Sequence, residues 1–147
     1  MAMIQLPPDF KEFLKLLNSS EVQYLVIGGY AVSYYGFPRA TADLDIWIAI
    51  AQENALRLEQ VLHRFGFQEA AAASFLKERQ IIRMGVPPLR LELLTSISGV
   101  EFAACYARRM EAELDGVSVP FIHLDDLKLN KLASGRLKDR LDLEQLP

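Results

Sequence analysis

Two aspartates, Asp43 and Asp45, open an apolar stretch that reads Asp-Leu-Asp-Ile-Trp-Ile. On a strand, residues i and i+2 project from the same face. The two carboxylates therefore stand together, with Leu44, Ile46 and Ile48 on the opposite face. Adjacent carboxylates repel unless a cation or a proton relieves them. Their oxygen donors suit Mg²⁺. A third acid, Glu92, sits in Leu-Arg-Leu-Glu-Leu, where the leucines share one face and Arg90 and Glu92 the other. Charge on one face of an apolar strand needs a partner. Either Arg90 and Glu92 pair with each other on a wet face, or Glu92 joins Asp43 and Asp45 across neighbouring strands. In the second case three carboxylates could hold one or two Mg²⁺ ions and serve phosphoryl chemistry.

A phosphate cradle is legible upstream. The run Val-Gln-Tyr-Leu-Val-Ile ends in Gly28-Gly29, with thirteen residues between Gly29 and Asp43. Glycines let a backbone approach a ligand closely, and a following helix start offers free N–H groups to phosphate oxygens. Ser33 lies one turn into that helix. Arg39 and Thr41 occupy the loop leading to the aspartates. An arginine there can grip a phosphate with two prongs. It could instead pair with Asp43 and fill the metal site. Each feature also has a plain structural reading: the glycines as a strand end, the Asp-x-Asp as surface charge.

The elements that must position these groups follow from periodicity. Residues 10–18 carry Phe10, Phe13, Leu14 and Leu17 at helical spacing after Pro7-Pro8. Residues 22–27 read as a buried strand, 30–35 as a short helix, and 44–49 as a second strand. The clearest helix is 52–65, closed by Gly66. Residues 70–73 are a helix fragment or a loop. Residues 80–84 and 89–94 form an antiparallel pair around a Gly-Val-Pro-Pro turn. A helix is expected over 102–110, a strand over 117–122 after Asp115-Gly116, and two final helices, 125–134 and 138–146, hinged near Gly135. The alternation predicts an α/β or α+β class, with a small mixed sheet flanked by helices.

Bulk properties set the frame. A chain of 147 residues, 51% hydrophobic, supports one domain with its own core. We expect a single domain over 1–147, with residues 124–147 as a C-terminal helical appendage. The lone Cys105 allows no internal disulfide and no zinc spacing, which fits a reducing, cytoplasmic setting. There is no secretory signal pattern and no apolar run long enough for a membrane span. A net charge of −3 gives no long-range pull toward nucleic acid, so any such contact would be local. His63 reads as an exposed helix residue and His123 as a capping or packing residue. Trp47 shares the Asp43/Asp45 face, either walling the cleft and stacking a base or packing in the core. Tyr30, Tyr34 and Tyr35 read as packing.

Together, Gly28, Gly29, Asp43, Asp45 and Glu92 resemble the nucleotidyltransferase superfamily related to DNA polymerase β. The stretch GGYAVSYYGFPRATADLDI is similar to small bacterial members, including antibiotic and toxin–antitoxin nucleotidyltransferases. The tail DDLKLNKLASGRLKDRLDLEQL resembles the end of the same group. The third acid is Glu92 where aspartate is more usual. The resemblance implies transfer of a nucleoside monophosphate from an NTP to a hydroxyl with release of pyrophosphate. Asp43, Asp45 and Glu92 would be the metal and catalytic residues, and Gly28, Gly29 and Ser33 the triphosphate cradle. It also favours Lys131 turned toward a phosphate over Lys131 snorkelling to water. Arg136, Lys138 and Arg140 read as a solvated basic face. The acceptor could be a small molecule, a protein side chain or an RNA end. Because no large acceptor-binding domain follows, a partner subunit or homodimer could complete that site. The alternative is a catalytically inactive binding module or toxin–antitoxin partner on the same fold.

Overall fold

The computed structural model describes residues 4–36, 41, 43–86 and 89–147. Its centre is a six-stranded mixed sheet whose strands lie side by side in the order Ile81–Val86 (β3), Leu89–Leu94 (β4), Asp43–Ile48 (β2), Tyr24–Ile27 (β1), Val117–Phe121 (β6) and Met110–Leu114 (β5). Helix α1 (Pro8–Ser19) starts with a proline, whose fixed φ suits the first turn, and buries Phe10, Phe13, Leu14 and Leu17. Strand β1 (Tyr24–Ile27) is buried throughout. It turns directly into α2 (Gly28–Tyr35). The helix thus begins at the glycine pair rather than at residue 30.

Strand β2 (Asp43–Ile48) lies between β1, antiparallel, and β4 (Leu89–Leu94), parallel. Helix α3 (Gln52–Arg64) follows β2, and a short 3₁₀ turn (Ala72–Phe75) precedes β3 (Ile81–Val86). The β3–β4 pair is antiparallel, as expected. One face of the sheet is core: Leu44, Ile46, Ile48 and Leu93 are wholly buried, with Phe13 packed edge-to-face on Phe65 nearby. Removing a ring such as Phe13 would cost about 3–5 kcal/mol. The other face carries the charged side chains.

The remaining elements correct one expectation. Helix α4 ends early (Phe102–Ala107), and Met110 opens a strand, β5 (Met110–Leu114), that hairpins with β6 (Val117–Phe121). Residues 110–114, Met-Glu-Ala-Glu-Leu, are good helix formers, so local preference pointed to a helix. Pairing with β6 overrides it. The turn holds Asp115 and Gly116 at φ 51° and 81°, the left-handed pair that a tight hairpin needs. Helices α5 (Leu124–Ser134) and α6 (Leu137–Gln145) close the chain. His123 caps α5, its Nδ1 accepting from the Asp125 N–H at 3.1 Å, and Gly135 ends it in the left-handed conformation. Among the described residues, no helix is long and apolar enough to cross a membrane.

Candidate active site

The parallel register of β2 and β4 sets Asp43 opposite Arg90 and Asp45 opposite Glu92. All four project from the charged face. Asp45 and Glu92 are side by side, and the consequence is electrostatic. Burial, a hydrogen bond with Glu92 and repulsion from Glu92 and Asp43 push the Asp45 pKa up to about 7, opposed by Lys138. One Asp45 oxygen, Oδ1, is buried without a hydrogen-bond partner among the described residues. The two acids therefore crowd one spot, and the Asp45 carboxyl makes no ion pair there among the described residues.

Asp43 is turned elsewhere. Its Oδ2 accepts from the Arg90 guanidinium at 2.8 Å, and the same guanidinium lies 3.5 Å from Glu92. Glu92 also accepts from Arg83 at 2.9 Å. The expected meeting of three carboxylates is thus a meeting of two, because Arg90 neutralises the third. Among the described residues, no group of three acid, histidine or cysteine side chains stands ready to hold a metal. Asp45 and Glu92 alone still fit a hard divalent cation, since a buried oxygen lacking a partner is the donor such an ion takes.

Glycine is required at the neighbouring turn. Gly28 has φ +69°, and a Cβ there would fall 2.0 Å from Asp45 Oδ2. At Gly29 a Cβ would meet the Thr41 hydroxyl at 2.6 Å. Backbone, acid and hydroxyl are therefore in close apposition. The glycine turn and the acid border a cleft of about 350 Å³ walled on one side by Ile27, Gly28, Gly29, Asp45 and Glu92. The opposite wall includes Ser98, Asn130, Lys131, Arg136 and Lys138. Asn130 donates to the Ser98 carbonyl at 2.9 Å and so ties α5 to the loop after β4.

Lys131 borders the cleft but does not snorkel to water. It is buried, with Nζ 3.1 Å from both Asp139 and Asp142 on α6. Burial works against the Asp139 carboxylate, yet hydrogen bonds from Arg136, Ser134 and Lys131 outweigh it and hold its pKa well below the ordinary range. Arg136 and Lys138, read from sequence as a solvated face, both line the cleft. Among the described residues Lys138 makes no ion pair, while its charge acts on Asp45. Arg83, Arg90, Arg136 and Lys138 are the functional candidates that sequence reasoning passed over. For Arg83 the signal was available: in Ile-Ile-Arg-Met it alternates against Ile82 and Met84, and the register sets it opposite Glu92.

Ser33 is buried in α2, its hydroxyl without a hydrogen-bond partner among the described residues, and does not border the cleft. Thr41 is half-buried beside Gly29. Arg39 lies outside the described residues. Trp47 is buried and edge-to-face with Phe102, away from this cleft. Tyr30, Tyr34 and Tyr35 pack against Phe10, Phe121 and the Ile122 carbonyl respectively. His63 is half-buried, not exposed, with Nε2 2.8 Å from the Ala70 carbonyl.

Comparison with curated proteins found no match. Solved structures show the same fold. A candidate nucleotidyltransferase from Thermotoga maritima superposes with a TM-score of 0.64 at 16% identity, covering 92% of this chain and 88% of its own. The antibiotic-resistance factor ANT(2'')-Ia gives 0.61 at 12% identity, covering 93% and 80%. The lincomycin-bound lincosamide antibiotic adenylyltransferase LnuA gives 0.57 at 15%, covering 96% of each chain. These likenesses establish the architecture. The sequence itself settles membership, because the family described as nucleotidyltransferases of unknown function (DUF6036) matches residues 5–146. This chain is therefore a member of that nucleotidyltransferase family.

Proposed function

We propose that the protein transfers a nucleoside monophosphate from an NTP, with ATP the first to test, to a hydroxyl acceptor. Mg²⁺ would be held by Asp45 and Glu92, and by Asp43 once Arg90 releases it. The observation that carries this reading is the Asp45–Glu92 pair beneath the Gly28 turn, with one buried oxygen unpartnered. When bound, the cation supplies charge neutralisation between these carboxylates and a polyphosphate.

The rest is positioning by the chain's own groups. Gly28 and Gly29 let the backbone approach the triphosphate. Thr41, beside Gly29, offers a hydroxyl to it, and Ser33 supports the start of α2 from within. Arg39 keeps the phosphate contact that its type suggests. Lys131, Arg136 and Lys138 balance the charge of departing pyrophosphate from the opposite wall. Glu92, beside Asp45, accepts the proton of the attacking hydroxyl. We place the activity in the cytoplasm, consistent with a single cysteine that is buried and unpaired. We treat the whole chain as one catalytic domain, with α5 and α6 as part of its cleft. A second copy or partner subunit could extend the acceptor side.

Calorimetry with each NTP, with and without Mg²⁺, tests the reading. Metal-dependent binding lost in Asp45→Asn and Glu92→Gln supports it; binding indifferent to metal and to both changes refutes it. Labelled NTP incubated with cell lysate then reveals the acceptor class. A second reading has its own observation. The Arg90–Asp43 ion pair occupies one acid, which suits a non-catalytic module acting as a toxin–antitoxin partner. That reading predicts no label transfer under any metal.

A further inference from the structure

Strand β3 is one edge of the sheet. The Thr95 N–H donates to the Gln80 carbonyl at 3.1 Å, which extends the β3–β4 register by one pair. In an antiparallel ladder, successive residues turn their backbone groups toward the partner strand and away from it by turns. Counting from Gln80, Ile82 and Met84 face β4, and Ile81 and Arg83 turn their N–H and C=O groups outward. Among the described residues no strand pairs with that outward row. The opposite edge, β5, is guarded by the exposed carboxylates of Glu111 and Glu113. On β3 the one charge is Arg83, and its Nε is drawn inward to Glu92 at 2.9 Å.

A cavity of about 580 Å³ touches Ile82, Arg83, Met84 and Gly85 in succession. Neighbouring side chains on a strand point to opposite faces. A cavity lined by four in a row therefore lies beside the backbone, as a groove along the edge, and not over either face. Its far bank is the segment 66–75, which contributes half-buried Phe67 and buried Phe75. Each property selects a feature of the occupant. An idle row of backbone donors and acceptors selects another extended backbone. Phe67, Ile82 and Met84 select apolar side chains on alternate residues. Arg83 selects a carboxylate, because only its Nε is bonded and its side chain is 56% exposed. A second copy fits poorly, since a two-fold β3–β3 pairing brings one Arg83 against the other.

We propose that β3 takes up an extended segment of a different protein as an added strand, with apolar side chains in the groove and an acidic one beside Arg83. Arg83 also lines the cleft of the paired acids, so the docked segment reaches the rim of that cleft. The docking surface goes beyond the nucleotidyl-transfer reading and stands without it.

The probe is the capped peptide Thr-Val-Glu-Val-Thr-Val, and the readout is residue-resolved amide exchange by NMR. The peptide should slow exchange at Ile81 and Arg83 several-fold, with half the effect at about 1 mM. Two methylated versions test the pairing itself. One carries N-methyl groups on its threonines and glutamate, the other on its valines. Only one alternation faces β3, so one version should lose binding and the other keep it. Lysine in place of the peptide glutamate should weaken binding several-fold. Ala71→Asp, at an exposed position of the groove, should do the same while the melting temperature stays put. No protection by about 10 mM, equal binding of the two methylated versions, or indifference to Ala71→Asp overturns the proposal. So does protection of the same amides that grows with protein concentration in the absence of peptide, which would make the edge an interface between copies.

Discussion

Arg90 holds Asp43 at 2.8 Å and reaches toward Glu92 at 3.5 Å, so one guanidinium spans two of the three acids. It does what a metal ion would do, in part, and in the same place. A cation arriving at Asp45 and Glu92 must either coexist with Arg90 or displace it.

Removing this competitor should therefore favour metal. Arg90→Ala is expected to tighten Mn²⁺ binding several-fold, and Asp43→Asn in the same background to cancel the gain. Titration of free Mn²⁺ by electron paramagnetic resonance measures both. Weaker binding in Arg90→Ala would mean that Arg90 organises the site instead of guarding it.

The pH dependence of stability has an unusual sign at Asp45. Its pKa rises on folding from 3.8 to about 7. Between those values the folded protein holds a proton that the unfolded chain does not. Stability is then full below about 4 and falls as pH climbs through about 7. In EDTA, the melting temperature should drop across this window. Asp45→Asn should flatten the slope, and saturating Mg²⁺ should lift the high-pH end.

Gly28→Ala tests the close approach. The left-handed φ alone costs about 1–2 kcal/mol, and the new methyl displaces the Asp45 carboxylate it would touch. We expect a modest fall in melting temperature and loss of metal-dependent nucleotide binding. Gly29→Ala, whose new methyl would press on the Thr41 side chain, should lose less.

The Lys131 cluster should matter to folding as well as to the cleft. Lys131→Met removes the cation that Asp139 and Asp142 share, and because Arg136 still holds Asp139 the expected loss is smaller than the about 3–5 kcal/mol of a buried charge left uncompensated. Denaturant titration reads it directly. Because the Asp139 carboxylate is held below its ordinary pKa, its contribution persists above that value and disappears on acidification through the lower one. Leu132→Ser, on the exposed side of the same helix, should change stability by no more than about 0.5 kcal/mol.

Much of this was legible in the residues. Alternation placed Asp43 and Asp45 opposite Leu44 and Ile46, and Glu92 opposite Leu91 and Leu93, because a period of two is a geometric consequence of the strand. What alternation does not fix is register between strands 47 residues apart. The juxtaposition of Asp43 with Arg90, and of Asp45 with Glu92, emerged only from the β2–β4 pairing. The same limit hid Lys131's partners. Asp139 and Asp142 lie on the next helix, and the turn at Gly135 decides which α6 side chains fold back onto α5. Strand β5 was missed for a different reason, since its residues favour helices locally and only the β6 partner makes them extend.

The two walls of the cleft are built differently. Asp45 and Glu92 belong to interior strands, flanked on both sides by hydrogen-bonded neighbours and backed by the hydrophobic interior. The facing helices are tied by the Asn130–Ser98 bond and by charges gathered around Lys131. Amide exchange should accordingly be slowest beneath the acids and faster in α5 and α6. If exchange follows that order, the acids would keep their spacing while the basic wall opens, the way in and out that the proposed nucleotide and its pyrophosphate need.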